Sequence, residues 1–222
     1  MSNEAIIEKT CAFVEQKFSG EGSGHDYWHM YRVWQLARRI AQSETAADPF
    51  VVELAALLHE FTDTKFVDDG GRAGEQEIIT WLESNDVSNT TISQVLVGIK
   101  NTSFSSSIGA GSGTQELQNI AAQIVSDADK LDALGAIGIA RTFAYGGNKH
   151  RQMYDPARPP EQYADATAYH QSDSPSINHF YEKLLLLKDR MFTETGKKIA
   201  QARHEYMEQF LAEFYDEWDG KR

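Results

Sequence analysis

The chain has 222 residues, a length that suits one domain, and 41% of them are hydrophobic, enough for a sizeable core. Lys and Arg number 21 against 33 Asp and Glu, a net charge of −12. That balance excludes stable, general binding to nucleic-acid backbones, which needs basic patches, but leaves small phosphates open where a metal ion supplies local positive charge.

The elements follow in chain order. Residues 4–18 carry Ile7, Cys11, Val14 and Phe18 at helical spacing, which puts the only cysteine on a core face and excludes an intrachain disulfide or a Cys-rich zinc site. The opening Met-Ser-Asn-Glu-Ala-Ile-Ile-Glu lacks the basic and apolar regions of a signal peptide, and no apolar run approaches the ~18 residues of a membrane span. A cytoplasmic protein without a membrane partner is expected. Three glycines in residues 19–24 end the first helix. A second helix over about 27–42 has the core face His29, Val33, Leu36 and Ile40, so His29 points inward with the aliphatics.

Asp48-Pro49 opens a third helix with the stripe Val51, Leu54, Ala55 and Leu58, which delivers His59 and Glu60 at its end. Asp63 lies four residues beyond His59, on the same face if the helix persists. Residues 67–74 read as a loop, and helices are expected over 75–84 and 90–100. The stretch 101–115 is small and polar and is expected to be a mobile loop. One helix is expected over about 116–142, with Asp129 and Asp132 on one face. Its run Ala133-Leu-Gly-Ala-Ile-Gly-Ile-Ala140 is small enough to admit another helix closely.

Residues 144–175 read as irregular. They hold Lys149-His150-Arg151, a conceivable phosphate clamp, although a solvated surface run is the better expectation. Ser176 begins an amphipathic helix with Ile177, Phe180, Tyr181, Leu184, Leu187 and Met191. A final helix over 195–218 has the stripe Arg203, Met207, Phe210, Phe214 and Trp218. His179 and His204 read as packing or surface residues. No strand run, repeat or exposed heptad seam is apparent, so the architecture is expected to be all-α and nothing specifies an oligomer interface.

His29, His59, the carboxylate beside His59, and Asp129 would provide two nitrogens and two oxygens from separate helices. Such a set suits a divalent ion of Mn, Fe, Ni, Co, Zn or, less well, Mg. An ion of that kind lowers the pKa of bound water and screens phosphoryl oxygens during attack. A peptidase-like reading of His59-Glu-Phe-Thr-Asp63 is weaker, because Asp63 stands where a second His is needed.

The order of these segments resembles the HD-domain superfamily of metal-dependent phosphohydrolases, in particular a small bacterial subgroup. The resemblance rests on Gly24-His-Asp-Tyr-Trp-His29-Met-Tyr-Arg-Val33, Ala55-Ala-Leu-Leu-His59, Asp127-Ala-Asp-Lys-Leu-Asp132 with the run to Gly147, and Ile177 to Asp189. It implies one all-α domain with a core over about 25–135 and C-terminal helices 176–218 packing on it. It also implies His29, His59 and Asp129 as metal ligands, Asp63 as the group that orients or deprotonates water, and Lys65 and Lys130 as phosphate contacts. His25, Asp26 and Asp132 are then candidates for orienting the ligands.

The family pair is His-Asp, whereas this chain has His59-Glu60. Glu60 can ligate the same metals, with a carboxylate displaced by about a bond length on a scale where ~1 Å matters. The implied activity is metal-dependent hydrolysis of a small phosphorylated metabolite, with a nucleotide favoured, as phosphatase or pyrophosphohydrolase. The second reading is a metal- or nucleotide-binding module impaired in catalysis by Glu60.

Overall fold

A computed structural model describes residues 1–20, 26–62, 71–100, 119–161, 163 and 172–222. The described residues contain α-helices and 3₁₀ turns and no strand, as the sequence leads one to expect. No helix among them is long and apolar enough to cross a membrane. Backbone contacts gather into two compact units, Met1–Asp129 and Lys130–Arg222.

In the first unit, α1 (Asn3–Phe18), α2 (Tyr27–Ala41) and α3 (Pro49–Leu58) begin at side-chain caps. Ser2, Asp26 and Asp48 accept backbone N–H groups of the first turn that have no partner inside the helix. Helix α3 is the centre of the unit. Val51, Val52 and Leu54 to Leu58 are all buried, so it is apolar nearly all round rather than on the single stripe read from sequence. Helices α1, α2 and α5 (Asn89–Ile99) pack on it. Gly98 on α5 is where approach is tight, since a Cβ there would lie 3.1 Å from the Ala55 Cβ. Cys11 is half-buried, short of the fully buried place expected for it.

After Leu58 the α-helix does not persist. The chain tightens into a 3₁₀ turn, His59–Thr62. Helix α4 (Arg72–Ser84) starts three residues earlier than expected and packs against that turn. Its cap, Gly71, has φ +83°, a left-handed conformation that favours glycine.

Helix α6 (Ile120–Asp132) is capped by Asn119, whose side-chain oxygen accepts the Ala122 N–H at 3.0 Å, and the boundary between the units falls within it. The single helix expected over 116–142 is in fact two. Leu134 is extended and Gly135 has φ +71°, so the chain turns and restarts as α7 (Gly135–Asn148). The small residues of this run serve the reversal: a Cβ on Gly138 would lie 2.1 Å from the Ala133 carbonyl oxygen.

In the second unit, α7 ends in a left-handed cap at His150, φ 55°, with the Arg151 N–H bonded to the Gly146 carbonyl at 2.8 Å. Lys149 and His150 are exposed and Arg151 donates to the Ser172 carbonyl. The triplet is therefore a helix terminus, in line with the surface reading.

The long helix expected from Ser176 is broken into α8 (Asn178–Glu182) and two 3₁₀ turns, Leu184–Leu186 and Lys188–Arg190, with Lys183 at φ −142° between them. Ile177, Phe180, Leu184, Leu187 and Met191 are nevertheless all buried. Short turns repeat every three to four residues as helices do, so periodicity could not separate them. Helix α9 (Glu194–Trp218) buries Ala200, His204, Met207 and Leu211, a face rotated from the expected stripe, and Trp218 is half-exposed. Phe143, Phe180 and Phe210 meet at ring-centroid distances of 5.8–6.3 Å and join α7, α8 and α9.

Because α3 is buried nearly all round, truncating its core side chains leaves a void that neighbours on several sides fill only partly. Leu57→Ala should cost about 2–5 kcal/mol in urea unfolding monitored by circular dichroism. A loss under about 1 kcal/mol would show that α3 is not the centre of the core.

Candidate metal centre

Each donor of the candidate centre is delivered by a distinct local device. His29 sits in the first turn of α2, where its own N–H donates to Asp26 Oδ1 at 3.0 Å. Asp26 thus fixes His29 through the backbone at the helix start. Trp34 donates to Glu53 Oε2 at 2.8 Å, and Arg38 lies 3.5 Å from the same oxygen, which ties α2 to α3. Sequence reading passed over this tie, since nothing in the spacing pairs Trp34 with Glu53.

His59 is the C-cap of α3 and Glu60 follows it in the 3₁₀ turn. The His59 Nδ1–H donates to the Ala56 carbonyl at 2.8 Å. A carbonyl can only accept, so Nδ1 carries the proton and Nε2 is the nitrogen left to face the centre. Asp129 comes from the last turn of α6.

One nitrogen or oxygen from each of His29, His59, Glu60 and Asp129 falls within 4.8 Å of all the others. His29 Nε2 lies 3.2 Å from Glu60 Oε1 and 3.5 Å from Asp129 Oδ1. His59 Nε2 lies 3.4 Å from Glu60 Oε1 and 4.0 Å from Asp129 Oδ1. Ligands at ~2.1 Å from one octahedral ion are roughly 3.0–4.2 Å apart, so all four separations suit a shared ion.

The chemistry of the donors agrees. His59 Nε2 is buried and makes no hydrogen bond, although it faces two carboxylates. A lone pair aimed at anionic oxygens is unfavourable unless a proton or a cation lies between them. Burial opposes charging His59, yet the adjacent Glu60 carboxylate, Asp129 and the Ala56 carbonyl outweigh it and raise the imidazole to about 9. Side-chain exposure is 1% for His29, 4% for His59 and 5% for Glu60 but 25% for Asp129, so the centre opens to solvent on the Asp129 side. The donor set fits a divalent ion.

Among the described residues, the other candidates from sequence meet other partners. His25, Asp63 and Lys65 fall outside the described residues. The Lys130 ammonium stands 4.9 Å over the Phe192 ring and is largely buried, and Asp132 accepts from Arg141 at 2.7 Å. His179 and His204 take no part in the cluster. Burial, then Lys183 and Arg151, pushes His179 down to about 3, and His204 is buried with Nε2 3.2 Å from Glu208.

Sequence reading also missed Gly71 and Gly74, taken as loop. A Cβ on Gly74 would lie 1.7 Å from the Phe61 carbonyl oxygen, and one on Gly71 2.7 Å from that of Thr62. Two glycines three apart, close after the ligand pair, were the available signal.

This arrangement has relatives. The HD domain model matches residues 27–134. YpgQ of Bacillus subtilis strain 168 is 37% identical over 204 residues, covering 92% of this chain and 89% of that one. A Lactobacillus plantarum structure superposes with a TM-score of 0.81 at 35% identity, over 99% of this chain and 100% of that one. An HD-superfamily hydrolase from Bacillus thuringiensis gives 0.76 at 41%, over 98% and 99%. Bacillus subtilis YpgQ in complex with ADP gives 0.74 at 32%, over 95% and 97%. With two histidines, an adjacent acid and a distant aspartate gathered at one point, and with relatives of this identity over nearly its whole length, the chain belongs to the HD-domain superfamily.

Proposed function

We propose that this protein is a metal-dependent phosphohydrolase acting on a small phosphorylated metabolite, with a nucleotide the favoured class. The observation that carries the reading is the buried His59 Nε2, which makes no hydrogen bond and faces Glu60 and Asp129. The likeness to YpgQ, solved in complex with ADP, supports a nucleotide.

His29, His59, Glu60 and Asp129 would hold one divalent ion of Mn, Ni, Fe, Co, Zn or Mg. Bound there, such an ion supplies Lewis acidity, lowering the pKa of a coordinated water and offsetting phosphoryl charge. The chain's own residues do the rest. Ala56 fixes the tautomer of His59, and burial of three donors excludes water from all but the Asp129 side. In this reading Asp63 orients or deprotonates the attacking water and Lys65 contacts phosphate, while Lys130 would have to leave the Phe192 ring to do the same. The −12 net charge makes such local cations necessary for an anionic substrate.

The test is phosphate and pyrophosphate release from a nucleotide panel. The metal-stripped protein is assayed alone and with Mn, Ni, Co, Zn or Mg, beside His59→Ala. Metal-dependent release that drops to the metal-free background in His59→Ala is expected. A folded, metal-loaded protein that releases neither product from any nucleotide would turn the assignment toward a binding module.

Proton linkage gives a second test. Without metal, protonated His59 stabilises the fold fully below its ordinary value of 6.5, and that contribution is lost as pH rises through about 9. A metal ligand must be deprotonated, so metal and proton compete. Calorimetry should show Mn binding tightening by about tenfold per pH unit from pH 7 to 8.5, with proton release. Affinity independent of pH over that range would remove His59 from the ligand set.

A further inference from the structure

Glu60 reaches both imidazoles with one oxygen: Oε1 is 3.2 Å from His29 Nε2 and 3.4 Å from His59 Nε2. Whether another acid could do the same depends on whether the backbone beneath it can move. The turn that carries it, His59–Thr62, is held on two sides.

On one side is the ring of Phe61, the residue after Glu60, which is buried. It stacks on Phe13 at 5.4 Å and meets the edge of Phe18 at 5.2 Å, with the Lys17 ammonium over its face at 4.6 Å. Phe13 is itself stacked flat on Trp81 of α4, at 4.1 Å and 5°. On the other side, the N-terminal end of α4 presses against the carbonyls of the turn. The gaps there are so narrow that only Gly74 and Gly71 fit, with no room for a Cβ at either. The turn can move neither toward α1 nor toward α4 without breaking close packing, and interiors of this density do not yield smoothly.

Resting on the metal-centre reading above, we infer that Phe61, Gly71 and Gly74 are positioning residues that set the height of the His59–Thr62 turn, and that Glu60 is the acid whose length matches that height. An aspartate at this position would end about one C–C bond, ~1.5 Å, short of the imidazoles. Following it inward would pull the turn off the Phe13 and Phe18 rings and off its seat on α4, at a cost in packing. Glu60 is therefore a fitted donor rather than a degraded one, and replacing it with the shorter acid harms the site.

The experiment is calorimetric titration of Mn²⁺ into metal-stripped wild type, Glu60→Asp, Phe61→Leu and the double variant, with circular dichroism confirming the fold of each. Glu60→Asp should weaken Mn²⁺ binding by about 10- to 100-fold, the range in which misplaced or poorly supported ligands act. Phe61→Leu loosens one side of the turn with Glu60 intact, so in that background the Glu60→Asp penalty should shrink by about threefold or more. A purely structural role for Phe61 would leave the two effects additive. Glu60→Asp that binds Mn²⁺ as tightly as wild type, or tighter, overturns this inference while leaving the metal centre in place. Additive effects overturn the role given to Phe61. Wild type that takes up no Mn²⁺ at all overturns the metal reading and this inference together.

Discussion

Two imidazole nitrogens and two carboxylate oxygens are confined within 4.8 Å of one another, and three of the four side chains are almost wholly withdrawn from water. Left to themselves, such groups would separate or stay hydrated, because an unpaired charge in a low-dielectric interior is costly. Much of the first unit can be understood as the means of keeping them together. Asp26 pins the start of α2, the Trp34–Glu53–Arg38 tie fixes α2 to α3, and the Ala56 carbonyl turns the His59 ring. The α3 core supplies the rigidity those contacts require.

The position of the site along the chain follows from how helices end. His29 occupies a first turn, Asp129 a last turn, and His59 with Glu60 the point where α3 gives way to a 3₁₀ turn. A helix interior places successive side chains about 100° apart, so adjacent residues diverge. A 3₁₀ turn widens that angle to about 120°, yet His59 Nε2 and Glu60 Oε1 lie 3.4 Å apart, so these neighbours converge through their side chains and not through the turn. Helix termini are the places where this centre is assembled.

His29, His59 and Glu60, three of the four clustered residues, stood out in the sequence because inward-facing polar residues conflict with the pattern around them. His29 shares a stripe with Val33, Leu36 and Ile40, and His59-Glu60 closes an otherwise apolar helix. All-α architecture was legible from the same periodicity. What was not legible depended on backbone conformation rather than side-chain type. The reversal at Gly135 was hidden inside a run that is good helix by composition. The segment 177–191 keeps its apolar period while changing from helix to short turns. On α9 the buried face includes His204 and excludes Trp218, because long aromatic side chains at the end of a helix cluster at the surface with Tyr154, Phe214 and Tyr215 instead of facing the core. The glycine seat beneath the His59–Thr62 turn is a contact between two backbones, and a sequence shows only that small residues are present.

The uneven exposure of the four donors gives the centre a polarity in time as well as in space. Asp129 is the donor that solvent can touch, while His29, His59 and Glu60 are sealed. In the metal-centre reading, a competing chelator would engage at the Asp129 side first, and an ion would leave by that side, where one carboxylate faces solvent. A phosphate entering by the same opening would cover that route. Occupancy by a substrate and retention of a metal would then be coupled kinetically, from nothing more than which of four side chains is left exposed.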